Sequence, residues 1–433
     1  MEKTFRRWEP EQRLLLPPAV EEFVPRDHVA HFLRDLVREQ LDLGAILTTY
    51  SEVRGYPPYH PVMMTALLLY AYCQGVYASR RIAQACEQRL DFMAVTAMAR
   101  PDFRTISDFR KRHLTALSGL FTQVLQLCAA AGLVKLGHVA LDGTKIKANA
   151  SKHKAMSYGR MAQAEAALAA EVAAWLARAE AADAADDAAL GADRRGDELP
   201  DWVVDKPRRL EKIRAAKTAL EAEAARPAAG RDDDEPPASA PPAAPAAKAQ
   251  RNFTDPESRI MKGPDGFVPA YNAQLAVDAA HQVIVAQDVT NQGTDAPHLP
   301  AMLAQIEMNT GQHAAELSAD SGYCSEANLQ EAQRQHITPY IATGRQRHGE
   351  SAATGRRRWR GGPRVAAMRT KLRRGGRRSR YRLRKQTVEP VFGLIKQARG
   401  FRQFLLRGLA KVRAEWSLLC IAHNLLKLAQ VAA

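Results

Sequence analysis

Three carboxylates stand in short stretches that could do chemistry together: Asp142 in HVALDGTKIKAN, Asp320 in AELSADSGYCSEANL and Glu389 in QTVEPVFGLIKQARGF. Asp142 closes an apolar run and precedes Gly143, which leaves it three roles: turn residue, metal ligand or general base. Asp320 closes another short apolar run. Both acids are expected at the C-terminal ends of short strands, and neighbouring parallel strands would bring such ends together. Glu389 precedes Pro390, which the first turn of a helix tolerates, and Lys396 follows two turns on along the same face. The simpler role for this glutamate is charge complementarity at a helix start. Gathered in one place, three carboxylates would repel unless cations neutralised them, and an all-oxygen set with open positions suits Mg²⁺ or Mn²⁺ rather than zinc. Two such ions about 4 Å apart can activate a water and stabilise the leaving oxygen of a phosphodiester.

Other acids compete with these three. Asp278 falls in the turn of an expected hairpin and Asp288 and Asp295 follow it, where turn or capping duty is the expectation. His298 could orient a phosphate or a ligand, although a satisfied structural histidine at a helix start is the simpler reading. The five cysteines (Cys73, Cys86, Cys128, Cys324, Cys420) include no C-x-x-C pair. That pattern argues against a disulfide framework or zinc site and places them in the core of a cytoplasmic protein.

The elements that must position the acids fall into blocks. Residues 1–135 read as a helical front, with helices on either side of Gly75 to Ser79 and a further one from Ile106, capped by Thr105 or Ser107 and stopped at Gly132. Arg104, Arg110, Lys111 and Arg112 lie in the cap and first turns of that last helix, where cations suit backbone phosphate and serve equally as the solvated outer face of a packed helix. Residues 160–250 form an alanine-rich helical insertion that ends in a proline-rich, disordered linker. Strand patterns lie on both sides of it: Val139 to Leu141 before, then a hairpin over 271–291, a short strand up to Asp320, and ITPYIA at 337–342. Helices are expected from Pro297 to Thr310 and after the Ser325 cap. A C-terminal helix carries one apolar face through Leu409, Val412, Trp416, Leu419 and Leu426. The core is therefore 136–159 with 251–433, an α/β fold interrupted by the insertion.

Charge points to a polyanionic partner. The chain of 433 residues carries a formal net charge of +15. Between Arg345 and Lys385 lie seventeen Lys or Arg residues against one acid, Glu350. An internal run of this kind, with Arg373, Arg374, Arg377 and Arg378 near its centre, reads as a phosphate-tracking surface or loop on which Trp359 and Tyr381 could stack bases. No leader peptide is expected, and the longest apolar run, Val62 to Cys73, is far short of the roughly 20 residues a membrane span needs.

The blocks LDGTKIKANAS, ADSGYCSEANL and TVEPVFGLIKQARGFRQFLLRGLAKVRAEWSLLCIAHNL, with HPVMMTALLLYAY and RTISDFRKRH in front, resemble bacterial insertion-sequence transposases of the DDE superfamily. The likeness is to the group related to insertion sequence five, in its eleven-eighty-two branch. It implies a ribonuclease-H-like mixed-sheet catalytic core, an all-α N-terminal DNA-binding domain, and Asp142, Asp320 and Glu389 as the triad holding two Mg²⁺ or Mn²⁺ ions. It makes Lys396 a phosphate-contacting lysine. Tyr381 stands one residue off the usual tyrosine position, and Lys385 stands where arginine is usual. The implied partners are double-stranded DNA, both element ends and target, and a second copy of the chain in a homodimer on DNA, in the cytoplasm at the nucleoid and with no membrane.

Overall fold

The computed structural model describes residues 19–51, 57–171, 173–174, 201–225, 245–263, 266–344, 354–355 and 361–432. These fall into two compact units, a helical one of Met1–Ala131 with Ile421–Ala433 and an α/β one of Gly132–Cys420. Among the described residues no helix is long and apolar enough to cross a membrane.

The helical unit holds α1 (Val29–Glu39), α2 (Gly44–Leu47), α3 (Pro61–Cys73), α4 (Ser79–Gln88), α5 (Leu90–Thr96), α6 (Phe103–Arg112) and α7 (Leu114–Ala130). Helix α3 starts with Pro61 in its first turn and the His60 ring accepting from the Val62 N–H at 3.3 Å. Apolar on all sides, it is buried along most of its length. The single helix expected from Ile106 is instead two. Asp102, not Thr105 or Ser107, caps α6, accepting from the N–H groups of Arg104 at 2.6 Å and Thr105 at 3.2 Å. The helix breaks at His113, which is buried against Phe109 and stacks on Tyr50. Arg110, Lys111 and Arg112 consequently lie in the last turn of α6, where they complement the carbonyl end of its dipole.

In the α/β unit, β1 (Val139–Lys147) is central. Two peripheral strands, β2 (Ala155–Ser157) and β3 (Gln250–Asn252), pair only with each other. The main sheet adds β4 (Arg259–Gly263), β5 (Gly266–Asp278), β6 (Ile284–Thr290), β7 (Glu316–Ala319) and β8 (Thr338–Ile341). One edge of β5 pairs antiparallel with β1; its other edge takes β4 and then β6. On the far side of β1 run β7 and β8, both parallel. Val139, Ala140 and Leu141 are fully buried, as a strand covered on both faces requires. The expectation that β1 stops at Asp142 is corrected. The strand continues to Lys147 because β5 offers a partner all along it, Asp142 facing Leu275 and Lys147 facing Ala270. The parallel pairing with β7, however, ends at Leu141 and Ala319. Asp142 and Asp320 are thus each the first residue beyond the last parallel rung.

Between β2 and β3, helix α8 (158–171) packs on α9 (Asp201–Ala224). Met161, Ile213, Ala216 and Leu220 form a small core of their own with Met156, Tyr158, Leu168 and Phe253 around it. Glu165 ties the two helices through Arg214 at 3.1 Å and Lys217 at 3.0 Å. The linker expected over 226–244 lies outside the described residues, as does Trp359.

The remaining helices are α10 (Leu299–Thr310), α11 (Glu326–Arg334), α12 (Pro363–Gly375), α13 (Leu383–Gly393) and α14 (Leu409–Ala432). Ser325 caps α11 by accepting from the Asn328 N–H at 3.1 Å. Part of the basic run is not a loop: α12 buries Val365, Met368 and Leu372 and has Glu326 accepting at its free N–H groups. Helix α14 buries every residue from Ala414 to Leu425, rather than one face.

Candidate active site

Helix α13 lies on the sheet through Val388 and Val391, both fully buried. It begins six residues before Glu389, so the glutamate sits in its middle rather than at its start, with Pro390 inside the helix. The proline removes the N–H that the Gln386 carbonyl would have used, and Gln282 replaces it, donating from Nε2 at 2.9 Å. On the same face as Thr387 and Val388, one turn earlier, Arg384 points inward. Its guanidinium reaches Asp142 Oδ2 at 2.5 Å and Glu389 Oε1 at 3.0 Å. Tyr381, half-buried, lies near it, and the Arg384 charge works against the burial that raises the tyrosine's pKa. Burial pushes the Asp142 carboxyl up to about 6; Arg384 opposes this, while Asp320 and Glu389 add to it. A lone cation thus bridges two of the three acids.

Asp320 follows β7 and opens a tight turn, Oδ1 accepting from the Gly322 N–H at 2.8 Å. Burial raises its pKa and the nearby Asp295 adds to the effect. Asp295 was expected in turn or cap duty, yet its side chain caps nothing. Its Oδ1 accepts instead from Asn272 Nδ2 at 2.6 Å, Gln274 Nε2 at 2.9 Å and Lys145 Nζ at 3.4 Å. Asn272 and Gln274 are fully buried polar residues of β5, an arrangement tolerated only when such groups have partners.

Lys396 sits in a π-helical turn, Leu394–Ala398, that extends α13. Its ammonium donates to the Thr144 hydroxyl and, at 3.2 Å, to the Lys145 carbonyl, which anchors it to β1 just past Asp142. Burial lowers its pKa. Lys385 faces solvent, and the position at the acids belongs to its neighbour Arg384. Spacing did not separate the two, since Arg384 and Lys385 both precede the buried Val388 by a helical turn, and the packing of α13 on the sheet decides which of them points inward.

The other candidates separate by burial. Arg373, Arg374, Arg377 and Arg378 are exposed, as are Arg104, Lys111 and Arg112. Arg110 is buried, donating to the Tyr77 carbonyl at 2.9 Å and to the hydroxyls of Tyr72 and Ser79, so it holds helices together instead of facing a phosphate. Asp278 keeps the loop role expected of it, accepting from the N–H groups of Lys135, Leu136 and Ala280. Asp288 lies within β6 and pairs with Arg413 at 2.9 Å. His298 is not fully satisfied: its Nε2 is buried without a hydrogen-bond partner, and burial lowers its pKa.

Residues 18–112 match the family described as a transposase domain (DUF772), and residues 242–425 match the transposase DDE domain. The two matches together span well over half of the chain. The chain belongs to the DDE-type transposase family. Its core is a mixed parallel and antiparallel sheet with helices, accompanied by a separate helical region. The DDE match includes Asp320 and Glu389 and begins after Asp142. No curated protein and no solved structure matches the chain significantly.

For a divalent ion, the donor set of this transposase-family site fits in chemistry: carboxylates from β1, from the end of β7 and from α13 are hard oxygen ligands suited to Mg²⁺ or Mn²⁺. Among the described residues no three side chains converge tightly enough to enclose an ion. Arg384 pairs with both Asp142 and Glu389.

Proposed function

We propose that this chain is a DNA transposase of the group related to insertion sequence five, in its eleven-eighty-two branch, with a ribonuclease-H-like core. It binds the ends of its element, cuts by two-metal-ion hydrolysis and joins the freed 3′ hydroxyl to target DNA. The observation that carries the reading is the meeting of Asp142 and Glu389, far apart in sequence, on one guanidinium, with Asp320 just beyond the same parallel rung. The strand order β6, β5, β1, β7, β8, antiparallel on one side of β1 and parallel on the other, supports the ribonuclease-H-like assignment.

In this reading Asp142, Asp320 and Glu389 hold two Mg²⁺ or Mn²⁺ ions, which supply an activated water and neutralise charge at the leaving oxygen. Arg384 balances the charge of Asp142 and Glu389. Lys396 fixes the strand after Asp142 through Thr144 and the Lys145 carbonyl. The exposed arginines 373, 374, 377 and 378 track the phosphate backbone, and residues 1–135 bind element ends. Residues 136–159 and 251–433 form the catalytic core, 160–250 an accessory arm, and two copies act together on DNA.

The pairing of Arg384 with two of the acids favours a second reading, in which the chain binds element ends with an idle triad. A nuclease of the same fold that cuts without joining is the third. The test is cleavage and joining of a duplex carrying the element's ends in Mg²⁺ or Mn²⁺. Asp142→Asn, Asp320→Asn and Glu389→Gln should each retain duplex binding and lose cleavage about a thousandfold or more. Cleavage without joined product selects the nuclease. Variants that cut like the parent, or a parent that binds and never cuts, overturn the proposal.

A further inference from the structure

Two glycines, one next to Asp142 and one two residues after Asp320, make room for the same neighbour. A Cβ on Gly143 would lie 2.4 Å from Gln274 Nε2, 2.8 Å from Asp295 Oδ1 and 3.0 Å from Asn272 Oδ1. Gly143 lies inside β1, where a glycine weakens a strand and marks a close approach. A Cβ on Gly322 would lie 3.0 Å from Asp295 Oδ2 and 3.0 Å from Asp320 Oδ1. Those two oxygens are therefore at most twice that distance apart. The glycine of the Asp142-Gly143 pair thus serves not a turn but the packing of Asp295 against the strand that carries Asp142.

The two oxygens of Asp295 are treated differently. Oδ1 takes every donor: Asn272, Gln274 and Lys145. Gln274 is itself oriented, because the buried Tyr323 hydroxyl donates to its Oε1 and leaves Nε2 to face Asp295. Oδ2 faces Asp320. Ligating carboxylates are held in this way, one oxygen fixed by buried donors and the other presented to the ion. A second observation points to a ligand. Asn272 is fully buried, its Nδ2 committed to Asp295 and to the Gln292 carbonyl, and its Oδ1 has no partner. A buried acceptor left bare next to carboxylates calls for a cation or a water belonging to one.

We propose that Asp295 is a fourth carboxylate of the site, contributing Oδ2 to a divalent cation on the Asp320 side, with Asn272, Gln274, Tyr323 and Lys145 as its positioning residues. This rests on the reading that Asp142, Asp320 and Glu389 hold divalent ions. It makes the two sides of the site unlike. Arg384 balances Asp142 and Glu389, while the Asp320 side gains a second acid.

The test is Mn²⁺ binding to the full-length protein without DNA, followed by calorimetry and by the electron paramagnetic resonance signal of free Mn²⁺. Asp295→Asn separates the two roles. Its side-chain oxygen still accepts from Asn272, Gln274 and Lys145, while an amide replaces the oxygen that faces Asp320. It should weaken Mn²⁺ binding about tenfold or more and leave the melting midpoint in chelator within about 3 °C of the parent. Asn272→Ala, which loosens Asp295 without altering an acid, should weaken binding severalfold and serves if the first variant fails to fold. Asp288→Asn, which breaks only the surface pair with Arg413, should bind like the parent. If Asp320→Asn abolishes binding while Asp295→Asn and Asn272→Ala bind like the parent, Asp295 is only a buttress and this inference falls alone. If the parent shows no saturable Mn²⁺ binding, the cation site and the inference fall together.

Discussion

Asp142→Asn should make the metal-free protein more stable at neutral pH. The buried carboxyl of Asp142 titrates near 6, against 3.8 for an ordinary aspartate. A carboxyl raised in this way holds its proton more tightly in the folded state than in the unfolded one. The stabilisation is whole below about pH 4 and is lost as pH rises through about 6. Above that, keeping the ionised group buried costs about 3 kcal/mol relative to its protonated form. Asparagine avoids this cost but disturbs the bonds to Arg384 and the Gly143 N–H, for about 1 kcal/mol. The net gain is about 2 kcal/mol at pH 7.5, or a rise of roughly 4–8 °C in melting midpoint. At pH 4 the gain should vanish. Denaturant unfolding of parent and variant in chelator, from pH 4 to 8, reads the difference directly. Mn²⁺ should reverse the order, since the parent gains about 2.7 kcal/mol at a hundred times its Kd and the variant little. A variant no more stable than the parent at pH 7.5, or a gap that does not change with pH, would refute the reasoning.

Two further outcomes concern the surfaces around the site. Replacing Arg373, Arg374, Arg377 and Arg378 with alanine should weaken binding to every duplex and reduce the slope of log affinity against log salt by about 3 to 4; an unchanged slope would make these arginines bystanders. Arg110→Ala, by contrast, should cost about 2 kcal/mol of stability and leave the slope alone. Replacing residues 160–246 by a short turn should keep one cooperative melting transition, because the Gly159 N–H already meets the Ala247 carbonyl at 3.1 Å and the α8–α9 core is its own. Loss of that transition would make the arm part of the catalytic core.

The amino-acid sequence by itself determined the apolar runs that became β1, β5, β6, β7 and β8, the helices on either side of Gly75 to Ser79, the helix start at Ser325, the helical arm, and the three carboxylate blocks. Each of these is written within a turn of helix or a few strand residues, the range over which hydrophobic period and capping act. Tertiary structure alone decided how far β1 runs past Asp142, because only β5 across the sheet supplies the partner. It chose Asp102 over Thr105 as a cap and broke the helix at His113, whose ring is taken up by Tyr50 and Phe109. It turned Arg384 inward and Arg110 into the core, and it moved Asp295 from an expected turn residue to the side of Asp320. The partners of Asp295 come from β1 and β5, and those of Arg384 from β1 and α13. A charged side chain takes its role from what lies across from it after burial. Strand register and helix packing set that neighbour, and no local pattern of residue types encodes them.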